Sequence, residues 1–208
     1  MQKIPKFTST GGAEKGLNIK AKLGDGAIIS EMGGRGRMTV ADERNTSRVE
    51  IRDGEIYILE TKNIDKAHDF IMNYIAENDK NNSKYLVNIF TRHMPVVNGL
   101  YKEAKGVCGN VFEISTVSGK NRISPASLGY IKHTISSTAF TEKKPLFVID
   151  CIDVLAMYTD KGKVEAMLEE LRDIVTATKG LGFIIIDPAT YDEKELAQIR
   201  RFKTTIKI

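Results

Sequence analysis

The chain has 208 residues, a formal net charge of +4, 41% apolar and 28% charged side chains, and two cysteines. This is the composition of a globular protein long enough to bury a substantial core. It excludes a disulfide framework, and no apolar run approaches the roughly 18 residues of a membrane span. The first residues, Met1 to Lys6, lack the apolar stretch of a secretory signal, so a cytoplasmic setting is expected. A charge this mild permits anionic partners without requiring them.

The chain divides near residue 54, because nine of its 17 glycines lie in residues 1–54. Leu17, Ile19, Ala21 and Leu23 alternate with polar residues, which predicts a half-buried strand. Gly24-Asp25-Gly26 offers a turn, and Ala27-Ile28-Ile29 a returning strand. Gly33 to Arg37 reads as a mobile loop. Met38 to Val40 and Arg48 to Ile51 read as further short strands. Residues 1–54 are therefore expected to form a β-rich N-terminal appendage, and residues 55–208 an α/β domain.

From residue 55 strands alternate with helices. Strands are predicted over Glu55–Glu60, Tyr85–Phe90, Val111–Ile114, Leu146–Ile149 and Phe183–Ile186. The first helix carries Ile64, Ala67, Ile71, Tyr74 and Ile75 on one face, with Asn63 placed to cap it. A weaker helical stretch covers Val96–Ala104. Ser124-Pro125 reads as N-cap and first residue of a helix bearing Leu128, Ile131 and Ile135. A strongly amphipathic helix runs from Val164 to Val175, with Gly180 placed to end it. Thr190-x-x-Glu193 reads as a capping box opening a last helix. This β-α order predicts a parallel sheet of about five strands, flanked by helices. Ligands bind at the carboxyl ends of such strands, so Glu60, Thr91, Arg92, Ser115, Asp150 and Asp187 should line one rim.

Pro145 to Asp150 is a short apolar run ending on a carboxylate, with Asp153 just beyond. A Walker B strand has that form, and its acid reaches a Mg²⁺ ion. Yet no Gly-x-x-x-x-Gly-Lys-Ser/Thr occurs in the chain. Without it the plainer reading of Asp150 is favoured: a cap for the element that follows its strand. Arg92-His93 suits an anion; an internal ion pair of Arg92 with Glu60 or Asp150 is slightly favoured.

The remaining motifs carry less. His68, beside Asp69, is read as solvated and His133 as a helix-surface residue. The three histidines have no metal-site spacing, and no metal is expected. Cys108 reads as a small loop residue and Cys151 as packed. Arg35, Arg37, Arg44 and Arg48 lie among glycines, but no aromatic in that loop would stack a base, so a solvated segment is favoured. Arg200, Arg201, Lys203 and Lys207 complement the negative end of the last helix.

An ordered set of motifs carries a family resemblance. Its parts are Thr91-Arg92-x-x-Pro95, Ser124-Pro125, Phe147-Val-Ile-Asp-Cys-Ile-Asp-Val-Leu155 and Ile185-Ile186-Asp187-Pro188-x-Thr190-x-x-Glu193-x-x-Leu196. Over residues of about 55 to 202 the chain resembles the archaeal domain-of-unknown-function family eight-thirty-five, with Cys151 in place of that family's usual glycine. More distantly, it resembles the RecA/KaiC-like ATPase core. That resemblance places a phosphate loop at Glu60–Ala67 and the phosphate lysine at Lys66. Glu60 and Asp65 stand where the loop glycines would be, and Ala67 replaces the Mg²⁺-binding hydroxyl. Thr91 and Arg92 stand where the core tends to carry its catalytic glutamate. The resemblance thus implies a RecA-like fold without the hydrolase. The expected function is a non-catalytic, pseudo-ATPase-like regulatory module that binds a protein partner and has no cofactor or catalytic residue. Members of the resembling family often look like parts of sensory or regulatory architectures, and RecA-like cores associate side by side, so self-association is expected to be open to it. Two alternatives stand beside it. One is a divergent nucleotide-binding ATPase using Lys66, Arg92, Asp150 and Asp153. The other is a nucleic-acid binder acting through the Gly/Arg loop and the basic C-terminus.

Overall fold

The computed structural model describes residues 21–23, 27–29, 39–42, 45–79, 84–95, 97, 109–201 and 204–208, with side chains from Glu50 onward. The segments before residue 51 are four short strands: β1 (Ala21–Leu23), β2 (Ala27–Ile29), β3 (Thr39–Asp42) and β4 (Asn45–Glu50). They pair antiparallel in the order β1-β2-β3-β4. Residues 17–20, the Gly33–Arg37 loop and the side chains of Arg44 and Arg48 lie outside the described residues.

The second sheet contains β5 (Glu55–Glu60), β6 (Tyr85–Thr91), β7 (Gly109–Ile114), β8 (Arg122–Ile123), β9 (Lys144–Ile149), β10 (Leu181–Ile186) and β11 (Thr204–Lys207). Its order is β11-β5-β10-β9-β6-β7-β8, and every pairing is parallel. The helices are α1 (Ile64–Asn78), α2 (Leu128–Ala139), α3 (Ile152–Tyr158), α4 (Lys161–Thr178) and α5 (Glu193–Arg200).

Side chains alternate between the two faces of a strand, and each face here is covered. Tyr57, Leu59, Leu146, Val148, Phe183 and Ile185 pack with α1 through Phe70, Ile71 and Tyr74. Ile56, Ile58, Phe147, Ile149, Ile184 and Ile186 pack on the other face with apolar side chains of α2, α3, α4 and α5. This is why the central strands β9 and β10 are apolar almost throughout. No described helix is long and apolar enough to cross a membrane.

Four local expectations change. The sheet has seven strands, not five. β8 is two residues long, too short to show alternation, and β11 buries only Ile206. Helix α2 begins at Leu128, because Arg122–Ile123 pair with β7 and residues 124–127 form a turn in which the Ser124 Oγ accepts from the Ala126 N–H. The last capping box is Asp192 with Glu195, since the Asp187 carboxylate caps a 3₁₀ turn over Pro188–Thr190. Helix α4 ends on Lys179, which takes the left-handed conformation at φ 51°. Gly180 serves close approach instead: a Cβ there would lie 2.5 Å from the Pro145 carbonyl oxygen. Of the stretch Val96–Ala104, all but Val97 is outside the described residues, as is Cys108.

Candidate functional site

The candidate site lies at the carboxyl ends of β5, β10, β9 and β6. A cavity of about 690 Å³ opens there, lined among others by Lys62, Arg92, His93, Asp150, Asp153 and Tyr191.

Asp150 follows β9, and its side chain is fully buried. Strands β6 and β9 are neighbours with Phe90 opposite Ile149, so Thr91 stands beside Asp150. The Thr91 hydroxyl donates to Asp150 Oδ2 at 2.6 Å, and the Arg92 N–H to Oδ1 at 3.2 Å. His68 Nε2 lies 2.9 Å from Oδ2. Asp150 is therefore no helix cap. Cys151 occupies the N-cap position of α3 and makes no side-chain cap bond. The carboxylate instead ties α1, β6 and β9 together.

His68, expected to be solvated, is instead fully buried. The signal was present. Ile64, His68, Ile71 and Ile75 follow the i, i+4, i+7, i+11 spacing of one helical face, so His68 belongs to the apolar stripe. His133 is exposed and Cys151 is buried, as expected. Burial, followed by the carboxylates of Asp150 and Asp153, pushes the Cys151 thiol well up, which leaves it a poor nucleophile.

The segment from Glu60 to Lys66 is closed on itself. Asn63 caps α1, its Oδ1 accepting from the N–H groups of Asp65 at 3.0 Å and Lys66 at 3.3 Å. The Asn63 N–H donates to the Thr61 hydroxyl, and the Thr61 N–H to the Ile186 carbonyl. A phosphate-binding loop keeps such donors for its ligand. Glu60, with 3% of its side chain exposed, receives both Nε and Nη2 of Arg200, at 2.6 and 3.0 Å. The expected ion pair of Arg92 with Glu60 or Asp150 is thus replaced by Arg200–Glu60 and by a backbone bond from Arg92. The Arg92 side chain is exposed.

Of the four residues proposed for a residual nucleotide site, Arg92, Asp150 and Asp153 line the cavity. Lys66 is exposed on α1 and is not among the lining residues, where Lys62 stands instead. These residues do not fit a Mg²⁺-triphosphate. The buried acid already accepts three bonds, and three N–H groups of the loop are spent within the protein. Among the described residues no group of three or more His, Cys, Asp or Glu side chains could hold a metal ion.

The model of the family described as "Protein of unknown function (DUF835)" matches residues 64–202. The chain belongs to this family. No curated protein matches the chain. Among solved structures, a Pyrococcus horikoshii OT3 protein described only as project PH0250 is similar at TM-score 0.52 and 11% identity, over 76% of this chain and 83% of that one. An uncharacterized P. horikoshii protein, PH0321, in complex with an unknown peptide, is similar at TM-score 0.51 and 11% identity, over 79% and 80%. The flagellar accessory protein FlaH of Methanocaldococcus jannaschii is similar at TM-score 0.49 and 18% identity, over 76% and 72%. At such identities the likeness is one of fold. The DUF835 chain has the α/β architecture expected of it, a parallel sheet flanked by helices, here with seven strands.

Proposed function

We propose that the protein is a non-catalytic, pseudo-ATPase-like regulatory module that binds a protein partner. The observation that carries the reading is the closed state of the nucleotide position. Asn63 satisfies the donors at the start of α1, Arg200 clamps Glu60, and His68 and Thr91 engage Asp150. Opening all three for a nucleotide would break several buried or half-buried polar contacts, each worth about 1–3 kcal/mol. A triphosphate would return little, since Glu60 and Asp65 stand where loop glycines would wrap it. The unknown peptide bound by the fold relative PH0321 lends support to a protein partner.

In this reading the β-rich residues 1–54 form an appendage to a core of residues 55–208 in a cytoplasmic protein. Self-association is open to it, and light scattering across a concentration series reads it out. Isothermal titration with Mg²⁺-ATP and Mg²⁺-GTP tests the central claim. Binding tighter than about 100 μM, roughly −5.5 kcal/mol, would refute it.

The presence of Arg92, Asp150 and Asp153 around one cavity favours the second reading, a divergent ATPase. That reading requires slow hydrolysis that disappears in Asp150→Asn.

A further inference from the structure

The cavity has cationic and anionic walls, and some of its charged side chains make no ion pair among the described residues. Arg52, Arg122, Arg172, Arg200 and Arg201 each stand in an ion pair. Arg92 is the exception among the arginines whose side chains are described. Its N–H is fixed by Asp150, and the N–H of His93 by the Thr91 hydroxyl at 2.8 Å. The turn carrying both side chains is therefore anchored on the buried acid. Little ordering of that backbone is left to a binding event. Asp153, in the first turn of α3, is exposed on the same cavity and makes no ion pair among the described residues. Tyr191, Val154 and Ile64 supply apolar wall near these charges.

We infer that the cavity binds a zwitterionic ligand of amino-acid or short-peptide size. Its carboxylate is received by Arg92 and its cationic group by Asp153. The inference rests on the reading that this is no longer a nucleotide site. A guanidinium matches a planar carboxylate with two parallel hydrogen bonds. Arg92 directly follows β6, Asp153 lies in the first turn of the helix that follows the neighbouring strand β9, and both line the one cavity, so a small ligand there can meet both. The carboxylate of Asp153 repels a polyphosphate and attracts an ammonium or guanidinium, which makes the cavity selective between the two classes. Its volume of about 690 Å³ lies within the range of small-ligand sites.

The test is an amide-shift titration of the full chain with L-lysine, a Lys–Gly–Glu tripeptide, acetate, inorganic phosphate and Mg²⁺-ATP. Lysine or the tripeptide is expected to shift the resonances of Arg92, Asp153 and Tyr191. The apparent Kd should rise at least about tenfold in Arg92→Gln and in Asp153→Asn, while weaker acetate binding responds to Arg92→Gln alone. A response to lysine supports the inference with a free amino acid as the ligand. A response to the tripeptide alone supports it with a peptide segment. Both substitutions are at exposed positions, so an unchanged circular dichroism spectrum controls for folding. No zwitterion response by about 10 mM, or an unchanged Kd in Arg92→Gln, overturns the inference. If phosphate or Mg²⁺-ATP binds while the zwitterions are inert, it is also overturned. The ATP response would bring down the non-nucleotide reading with it, whereas inert zwitterions with inert ATP bring down only this inference.

Discussion

His68 Nε2 lies 2.9 Å from Asp150 Oδ2, and both side chains are fully buried. The carboxylate that follows β9 is held by an imidazole from the first helix. Removing either partner leaves the other buried without it. His68→Ala should therefore cost about 3 kcal/mol in urea unfolding. Asp150→Asn, which replaces an acceptor oxygen by a donor amide, should cost about 2 kcal/mol. The double variant should cost less than the sum, because the two groups share one interaction. Additive losses would show that the pair is not coupled.

Glu60 and Arg200 form a clamp at the end of β5. The Glu60 side chain is 3% exposed and that of Arg200 43%, so solvent screens the pair from one side. Arg200→Ala should destabilise by about 1–2 kcal/mol, between the surface and buried limits. Glu60→Gln in the same background should recover part of the loss. Thermal unfolding of the three proteins checks this, and an Arg200→Ala protein as stable as the parent would contradict it.

Asp53 contributes to acid stability at the amino ends of the strands, opposite the cavity. Burial acts to raise its pKa, but Lys144, the Tyr85 hydroxyl and Lys84 together hold it below the usual carboxylate range. Its folded pKa is therefore lower than its unfolded value of about 3.9. Its contribution is present above that value and fades as pH falls toward the folded pKa. The stability gap between parent and Asp53→Asn should be full at pH 7 and shrink below about pH 4. A gap that does not change with pH would contradict this assignment.

The alkaline limb involves the tyrosines. Burial, opposed by a hydrogen bond to Tyr85, pushes Tyr74 up to about 12, and burial raises Tyr57, Tyr85 and Tyr191 as well. Stability from these groups is complete below the unfolded value of about 10 and declines as pH rises above it. Ultraviolet titration should show these phenols ionising only as the fold is lost. Reversible ionisation of all seven tyrosines near pH 10 in the native state would contradict the burial argument.

Lys179 and Gly180 separate conformation from space. Lys179→Gly should stabilise by about 0.5–1 kcal/mol, because a non-glycine residue there adopts φ 51°. Gly180→Ala should destabilise by about 1–3 kcal/mol, since its Cβ would meet the Pro145 backbone. Chemical denaturation of the two variants should show opposite signs.

Much of the fold was legible because its signals are local. The apolar runs at Leu146–Ile149 and Phe183–Ile186, the α1 stripe and the Asn63 cap were all found from neighbours a few residues apart. The edge strands escaped because Arg122–Ile123 and Thr204–Lys207 are too short and too exposed to leave a period. His68 was legible as part of the stripe, but its role was not. Its partner lies 82 residues away, just as the partner of Glu60 lies 140 residues away. Which charges meet depends on the order of strands in the sheet, a long-range property that no local pattern encodes. By itself the sequence determined a parallel α/β core flanked by helices. Only the tertiary structure decided that Asp150 is sealed by His68 and Thr91 while the Arg92 side chain makes no ion pair among the described residues, because packing chooses partners among groups that are chemically equivalent along the chain.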